Sequence, residues 1–147
     1  MNRYHIETSK VIPASAEAIW AVLTDYEVSH HAILPKPYFA GMTIEKGGQG
    51  AGTVAVVQMN VLGAKRTYRL EVSEPEPGRV LEEVDREAGI RTRFILEPQA
   101  DGSCSVTIAS DGPVKAGFAG VVERLLNPPI TRHIFNKELA ILTDYVC

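Results

Sequence analysis

Pro129-Ile130-Thr131-Arg132-His133-Ile134-Phe135-Asn136-Lys137-Glu138-Leu139-Ala140-Ile141-Leu142-Thr143-Asp144-Tyr145-Val146 is the stretch whose pattern decides the fold. Pro129 suits the first helical position, where its missing N–H and fixed φ cost nothing. Each proline pushes the residue before it away from helix, so Asn127 and Pro128 are expected to lie outside. At about 100° per residue, Ile130, Ile134, Ile141 and Tyr145 fall on one side, with Phe135, Leu139, Leu142 and Val146 beside them. Arg132, His133, Asn136, Lys137, Thr143 and Asp144 take the opposite face. The spacing predicts an amphipathic helix of about five turns with a wide apolar arc. Thr131 and Glu138 sit in the middle of that arc. A core helix does not place a carboxylate there without a reason, because an unpaired buried charge is costly.

Ahead of this helix the pattern is mostly β. Alternation predicts a first strand over residues 3–12, imperfect enough to be an edge strand, ended by Pro13. Ser15 is a credible N-cap, and Ala16, Ile19, Trp20 and Leu23 follow the spacing of a short buried helix. Asp25 is placed to end that helix and cap a second over residues 26–32, which Pro35 and Pro37 close. Six more strands follow, at 39–46, 53–62, 65–74, 79–85, 90–97 and 103–111. Their connections are too short for parallel crossovers, so neighbours are expected to be antiparallel. One sheet has one face to cover, and the terminal helix is the only element long enough to cover it. The expected architecture is α+β: a helix-grip, with a curved antiparallel sheet of about seven strands wrapped around the long C-terminal helix and two short helices after the first strand.

The stretch Val11-Ile12-Pro13-Ala14-Ser15-Ala16-Glu17-Ala18-Ile19-Trp20, followed by Leu23-Thr24-Asp25-Tyr26, resembles the opening of the START-related polyketide cyclase and lipid-transport superfamily (SRPBCC). That superfamily shares its fold with the birch-pollen allergen. Gly50-Ala51-Gly52-Thr53 and the closing helix fit it too, so the resemblance covers essentially the whole chain. It implies a deep apolar cavity between sheet and helix. It carries over no universal catalytic motif.

Composition narrows the function classes. At 147 residues and 45% hydrophobic, the chain is expected to fold as one domain, 1–147, with a real core. Its net charge is −3 and no Lys/Arg stripe is visible, which argues against nucleic acid as a partner. No apolar run approaches membrane-spanning length, so no stable membrane insertion is expected. The N-terminus lacks a signal-peptide core, and with two cysteines in unrelated places a structural disulfide is not expected. The cytoplasm is the expected compartment.

Other motifs weigh less than Glu138. The run Gly47–Gly52 lies between strands, so it is expected to be a bulged hairpin rather than a phosphate cradle. His30 and His31 are adjacent, and neighbouring helical residues point ~100° apart, which suits polar residues near a helix end better than a metal site. Cys104 is expected to be a buried, inert thiol. Asp25 is expected to cap, and Trp20 to pack in the core. The strand over residues 79–85 is ambiguous: Val80/Glu82/Val84 and Leu81/Glu83/Asp85 cannot both face inward, and a one-residue slip decides whether Glu82 joins the cavity.

These readings predict a domain that binds a small hydrophobic molecule, such as a lipid, an isoprenoid or an aromatic polyketide. The expected wall is Met59, Tyr68, Leu70, Thr92, Phe94, Thr131, Ile134, Phe135, Glu138 and Ile141. One alternative is a polyketide cyclase, aromatase or dehydratase with Glu138 as acid or base and Tyr68 or Arg66 polarising a carbonyl. Arg66 shares a strand face with Tyr68 and Leu70, so it is also a candidate ion-pair partner for Glu138. A second alternative is a protein-interaction module. No cofactor or metal is expected. The segment 112–127, with Gly117, Gly120 and the Pro-Pro break, is expected to gate the cavity mouth on a microsecond-to-millisecond scale. Hydrogen exchange then protects it less than residues 130–145; equal protection would count against a gate.

Overall fold

A computed structural model describes residues 3–61, 63–113 and 117–147, with side chains described from Pro129 onward in the last of these spans. In chain order the elements are β1 (Arg3–Ile12), α1 (Ala16–Thr24), α2 (Ser29–Ile33), β2 (Phe39–Lys46), β3 (Val54–Val61), β4 (Ala64–Glu76), β5 (Val80–Asp85), β6 (Ile90–Pro98), β7 (Cys104–Pro113) and α3 (Gly117–Val146). The strands form one seven-stranded sheet in the order β1-β7-β6-β5-β4-β3-β2. Every pairing is antiparallel. From β2 to β7 each strand pairs with its sequence neighbour. The connection from β1 to β2 instead runs through α1 and α2 to the opposite edge of the sheet. Ser15 caps α1, its side chain accepting from the Ala18 N–H at 3.1 Å.

α3 covers the concave face. Ile134, Glu138, Leu139 and Leu142 are buried, while Arg132, His133, Asn136, Lys137 and Asp144 stay in solvent. Leu139 and Leu142 join Ile19, Leu23, Leu81, Phe94, Leu96, Val106 and Ile108 in the core. The outer face of α3 is lashed down as well: Asn136 accepts from Thr8 of β1, and Lys137 Nζ lies 5.8 Å over the Tyr38 ring.

The structure corrects three expectations about the helices. α2 is shorter than expected, beginning at Ser29 because Tyr26 is drawn into a contact with the glycine loop. α3 is one helix from Gly117 to Val146 and does not break at Asn127-Pro128-Pro129. The two prolines remove two backbone donors, yet their fixed φ is helical, and the turns on either side keep their own bonds. Tyr145 lies on the apolar stripe but is 47% exposed, so the arc is not covered along its whole length. The side chains of residues 114–128 lie outside the described residues, and the expected gate lies with them.

Leu139→Ala is expected to cost about 2–5 kcal/mol in chemical denaturation, through a cavity in the close-packed half of the interior. Tyr145→Ala is expected to change stability by no more than ~0.5 kcal/mol. Equal costs at the two positions would mean that α3 is rotated from the orientation described.

Candidate functional site

Between the sheet, α2 and α3 lies a cavity of about 560 Å³. Strand parity builds most of its wall, since alternate residues face the same way: Met59 and Val61 from β3, Arg66, Tyr68 and Leu70 from β4, Thr92 and Phe94 from β6. α3 contributes Ile130, Thr131, Ile134, Phe135 and Glu138. Among the residues named from the sequence, Met59, Tyr68, Leu70, Thr92, Phe94, Thr131, Ile134, Phe135, Glu138 and Arg66 all lie on this wall. Ile141 does not; it packs, partly buried, against the core cluster, because it lies one turn past the end of the hollow.

The wall mixes apolar side chains with polar ones, and one group of polar side chains is buried together. Glu138 is only 3% exposed, and its Oε2 has no hydrogen-bond partner among the described residues. Burial, and then the charge of Glu83, push its carboxyl well above the usual carboxylate range. The carboxyl moves up, opposite to the direction that pairing with Arg66 would give. Glu83 is buried on β5 and accepts a hydrogen bond from Tyr26 Oη at 2.6 Å. His30 Nε2 lies 3.6 Å from the same Glu83 oxygen. His30 Nδ1–H donates to the Leu23 carbonyl at 2.6 Å, which leaves Nε2 turned toward Glu83. The His30 ring stacks on Tyr26 at 4.2 Å and meets Phe94 edge-on at 5.4 Å. Burial and the adjacent Glu83 push the Tyr26 phenol well above its ordinary range, so it stays a donor.

The glycine-rich loop positions this group. It is not a phosphate cradle; it clasps the α1–α2 junction. Gly50 N–H donates to the Thr24 carbonyl at 2.8 Å, and Tyr26 N–H donates to the Gly48 carbonyl at 2.9 Å. Gln49 Nε2 donates to Asp25 Oδ1 at 2.9 Å. Gly48 and Gly50 both have positive φ, and a Cβ would strike Glu27 at the first and Glu74 at the second. The clasp fixes Tyr26 at the end of α1 and so sets where its ring enters the cavity.

The structure resolves the parity of β5. Leu81, Glu83 and Asp85 are buried, and Val80, Glu82 and Val84 are not. Glu82 is therefore outside, paired with Arg93 at 2.7 Å, and Glu83 is inside. Cross-strand logic could have found this: Glu82 sits directly opposite Arg93, a cation it pairs with on that face. Asp85 is satisfied by the backbone, accepting from the Arg69 and Ala88 N–H groups. His30 is not a polar residue at a helix end but a buried wall residue, 2% exposed. Its only sequence signal was its position eleven after Ile19, which gives no face across a break between two helices. Cys104 is buried, and burial pushes its thiol up.

A family model described as polyketide cyclase / dehydrase and lipid transport matches residues 3–146. The chain belongs to this family. Among solved structures, the chain is similar to the KanY protein, with 25% identity, 99% of each chain covered and a TM-score of 0.85. It is also similar to the Zhui aromatase/cyclase of Streptomyces sp. R1128, at 15% identity, 99% and 94% coverage and a TM-score of 0.77. Norcoclaurine synthase of Thalictrum flavum, solved with dopamine and hydroxybenzaldehyde, aligns at 20% identity, 99% and 87% coverage and a TM-score of 0.71. The last two speak for a shared fold. No curated protein matches the chain significantly by sequence. Among the described residues, no helix is long and apolar enough to cross a membrane.

The raised Glu138 carboxyl gives a signed pH prediction. The folded state holds this proton more tightly than the unfolded chain. The associated stability is fully present below the unfolded value and is lost as pH rises through the folded one. Glu138→Gln is expected to flatten that decline in denaturation curves taken from pH 4 upward. Glu138→Leu is expected to raise stability by ~1 kcal/mol or more at neutral pH, by removing an unpartnered buried polar group. A loss of stability in Glu138→Leu would reveal a partner that holds the carboxylate.

Proposed function

We propose that this domain binds a small, mostly apolar molecule in the cavity beneath α3, with Glu138 as the polar anchor that sets its orientation. One observation carries the reading: a hollow of about 560 Å³ whose apolar wall holds a buried carboxyl oxygen with no partner among the described residues. Buried polar atoms are normally satisfied, and a ligand atom would supply what this one lacks. The volume falls within the range of drug-sized ligand pockets. The family description, which names lipid transport beside cyclase and dehydrase activity, supports a small-molecule role. An interaction module has no use for such a hollow. The ligand class remains as in the sequence reading: a lipid, an isoprenoid or an aromatic polyketide.

A second reading is favoured by the neighbourhood of Glu138. Two carboxyl groups that influence one another, with a tyrosine and a histidine on one of them, are the materials of acid–base catalysis. In that reading Glu138 is the proton donor of a cyclase or dehydratase. Tyr68 and Arg66 stand on the same wall, where a carbonyl could be polarised.

Native mass spectrometry of the protein from its own host tests the binding reading. The expected result is a retained small molecule that Nile red displaces, with Leu70→Trp weakening Nile red roughly tenfold by filling the hollow. No adduct, together with Nile red affinity indifferent to Leu70→Trp, would sink it. Conversion of the retained molecule on storage, lost by roughly 10²–10⁴-fold in Glu138→Gln, would select the catalytic reading.

A further inference from the structure

Glu83 and Glu138 reach the cavity from opposite sides, one from β5 and one from α3. Their surroundings differ in kind. Tyr26 Oη donates to Glu83 Oε2, His30 Nε2 lies 3.6 Å from that oxygen, and Glu83 Oε1 accepts no side-chain hydrogen bond among the described residues. Glu83 is therefore held rigidly as an acceptor, with one oxygen to spare. Among the described residues Glu138 has neither a cation nor a donor on its Oε2; it lies among Ile134, Phe135 and the sheet and feels the negative charge of Glu83. Burial with no partner on Oε2 among the described residues favours the protonated, donating form of Glu138. The cavity thus offers an O–H donor on α3 and an acceptor oxygen on β5, both lining the same hollow.

Resting on the cavity-binding reading, we propose that Glu138 and Glu83 together recognise a hydroxyl group on the ligand, Glu138 donating to its oxygen and Glu83 accepting its proton. The partner this fits best is a compact apolar molecule bearing a phenol or enol. Such a hydroxyl gives a stronger hydrogen bond to a carboxylate than an aliphatic alcohol does. Its oxygen still accepts from Glu138. A ligand with a carbonyl alone would use Glu138 and give Glu83 Oε1 nothing to accept, and a hydrocarbon would use neither. Tyr26 and His30 are positioning residues here, acting through Glu83.

Three probes of one shape separate these contacts in fluorescence titrations: 2-naphthol, 2-methoxynaphthalene and naphthalene. The ether oxygen can accept from Glu138 but has no proton for Glu83. The hydrocarbon has neither. The ether is also the larger and more apolar of the two oxygen compounds, so burial alone would rank it above the naphthol. The expected result with the unaltered protein is 2-naphthol bound roughly tenfold to hundredfold more tightly than 2-methoxynaphthalene. Glu83→Gln is expected to collapse the naphthol-to-ether ratio, and Glu138→Leu the ether-to-naphthalene ratio. Val11→Ser, at an exposed position, is expected to leave all three affinities as they were. Ratios cancel any general damage to the cavity, and the comparison in the unaltered protein stands even if a variant does not fold. Equal binding of the three probes, or ratios that persist in the variants, would overturn the proposal while leaving the cavity reading intact. If naphthalene itself does not bind the unaltered protein, the cavity reading fails and the recognition of a hydroxyl fails with it.

Discussion

One helix is too narrow to fill the concave face of a seven-stranded sheet. Strands lie about 4.8 Å apart, so the sheet is roughly 29 Å across, whereas a helix with its side chains is about 10–12 Å in diameter. Something else must occupy the remaining space. On one side α1 packs in, and Ile19, Leu23, Leu139 and Leu142 meet Leu96 and Val106 in a solid core. On the other side, among the described residues, no comparable apolar cluster forms, and the hollow remains. The cavity follows from covering a wide sheet with one long helix and two short ones.

That division also explains how the fold accommodates Glu138. Ile134, Leu139 and Leu142 on the same helix bury large apolar areas, worth about 25 cal/mol per Å². Turning the helix to free one carboxyl would expose that stripe. Keeping the carboxyl inside is less costly than an isolated charge would be, since it retains its proton. Among the described residues, the cost that remains is one unsatisfied oxygen beside the cavity. Natural interiors tolerate few such groups, and in a hollow domain they mark where a ligand's polar atom belongs.

The polar group around Glu83 depends on a chain of local conformations far apart in sequence. Gly48 and Gly50 adopt backbone angles that side chains resist, which lets the loop bind the end of α1 through backbone hydrogen bonds. The clasp carries Tyr26 inward to β5, and the short α2 that follows brings His30 onto the Tyr26 ring. A loop whose glycines suggest phosphate chemistry thus serves to place a tyrosine.

The sequence by itself determined the elements, their antiparallel order, the covering helix and the carboxylate inside its arc, because each depends on local periodicity or on turns of a few residues. Nine of the ten residues expected on the cavity wall were legible for the same reason: strand parity and helix spacing assign their faces. Only the tertiary structure decided the rest. Which parity of β5 faces inward is fixed by pairing with β6, where Glu82 meets Arg93 and Glu83 turns to the hollow. α3 runs on through Pro128 and Pro129 against the local bias of two prolines. Tyr26 and His30 enter the wall because a loop more than twenty residues downstream holds the junction before them. Neither side chain's own neighbours in sequence carry that information, since the contacts that place them close only when the sheet has folded.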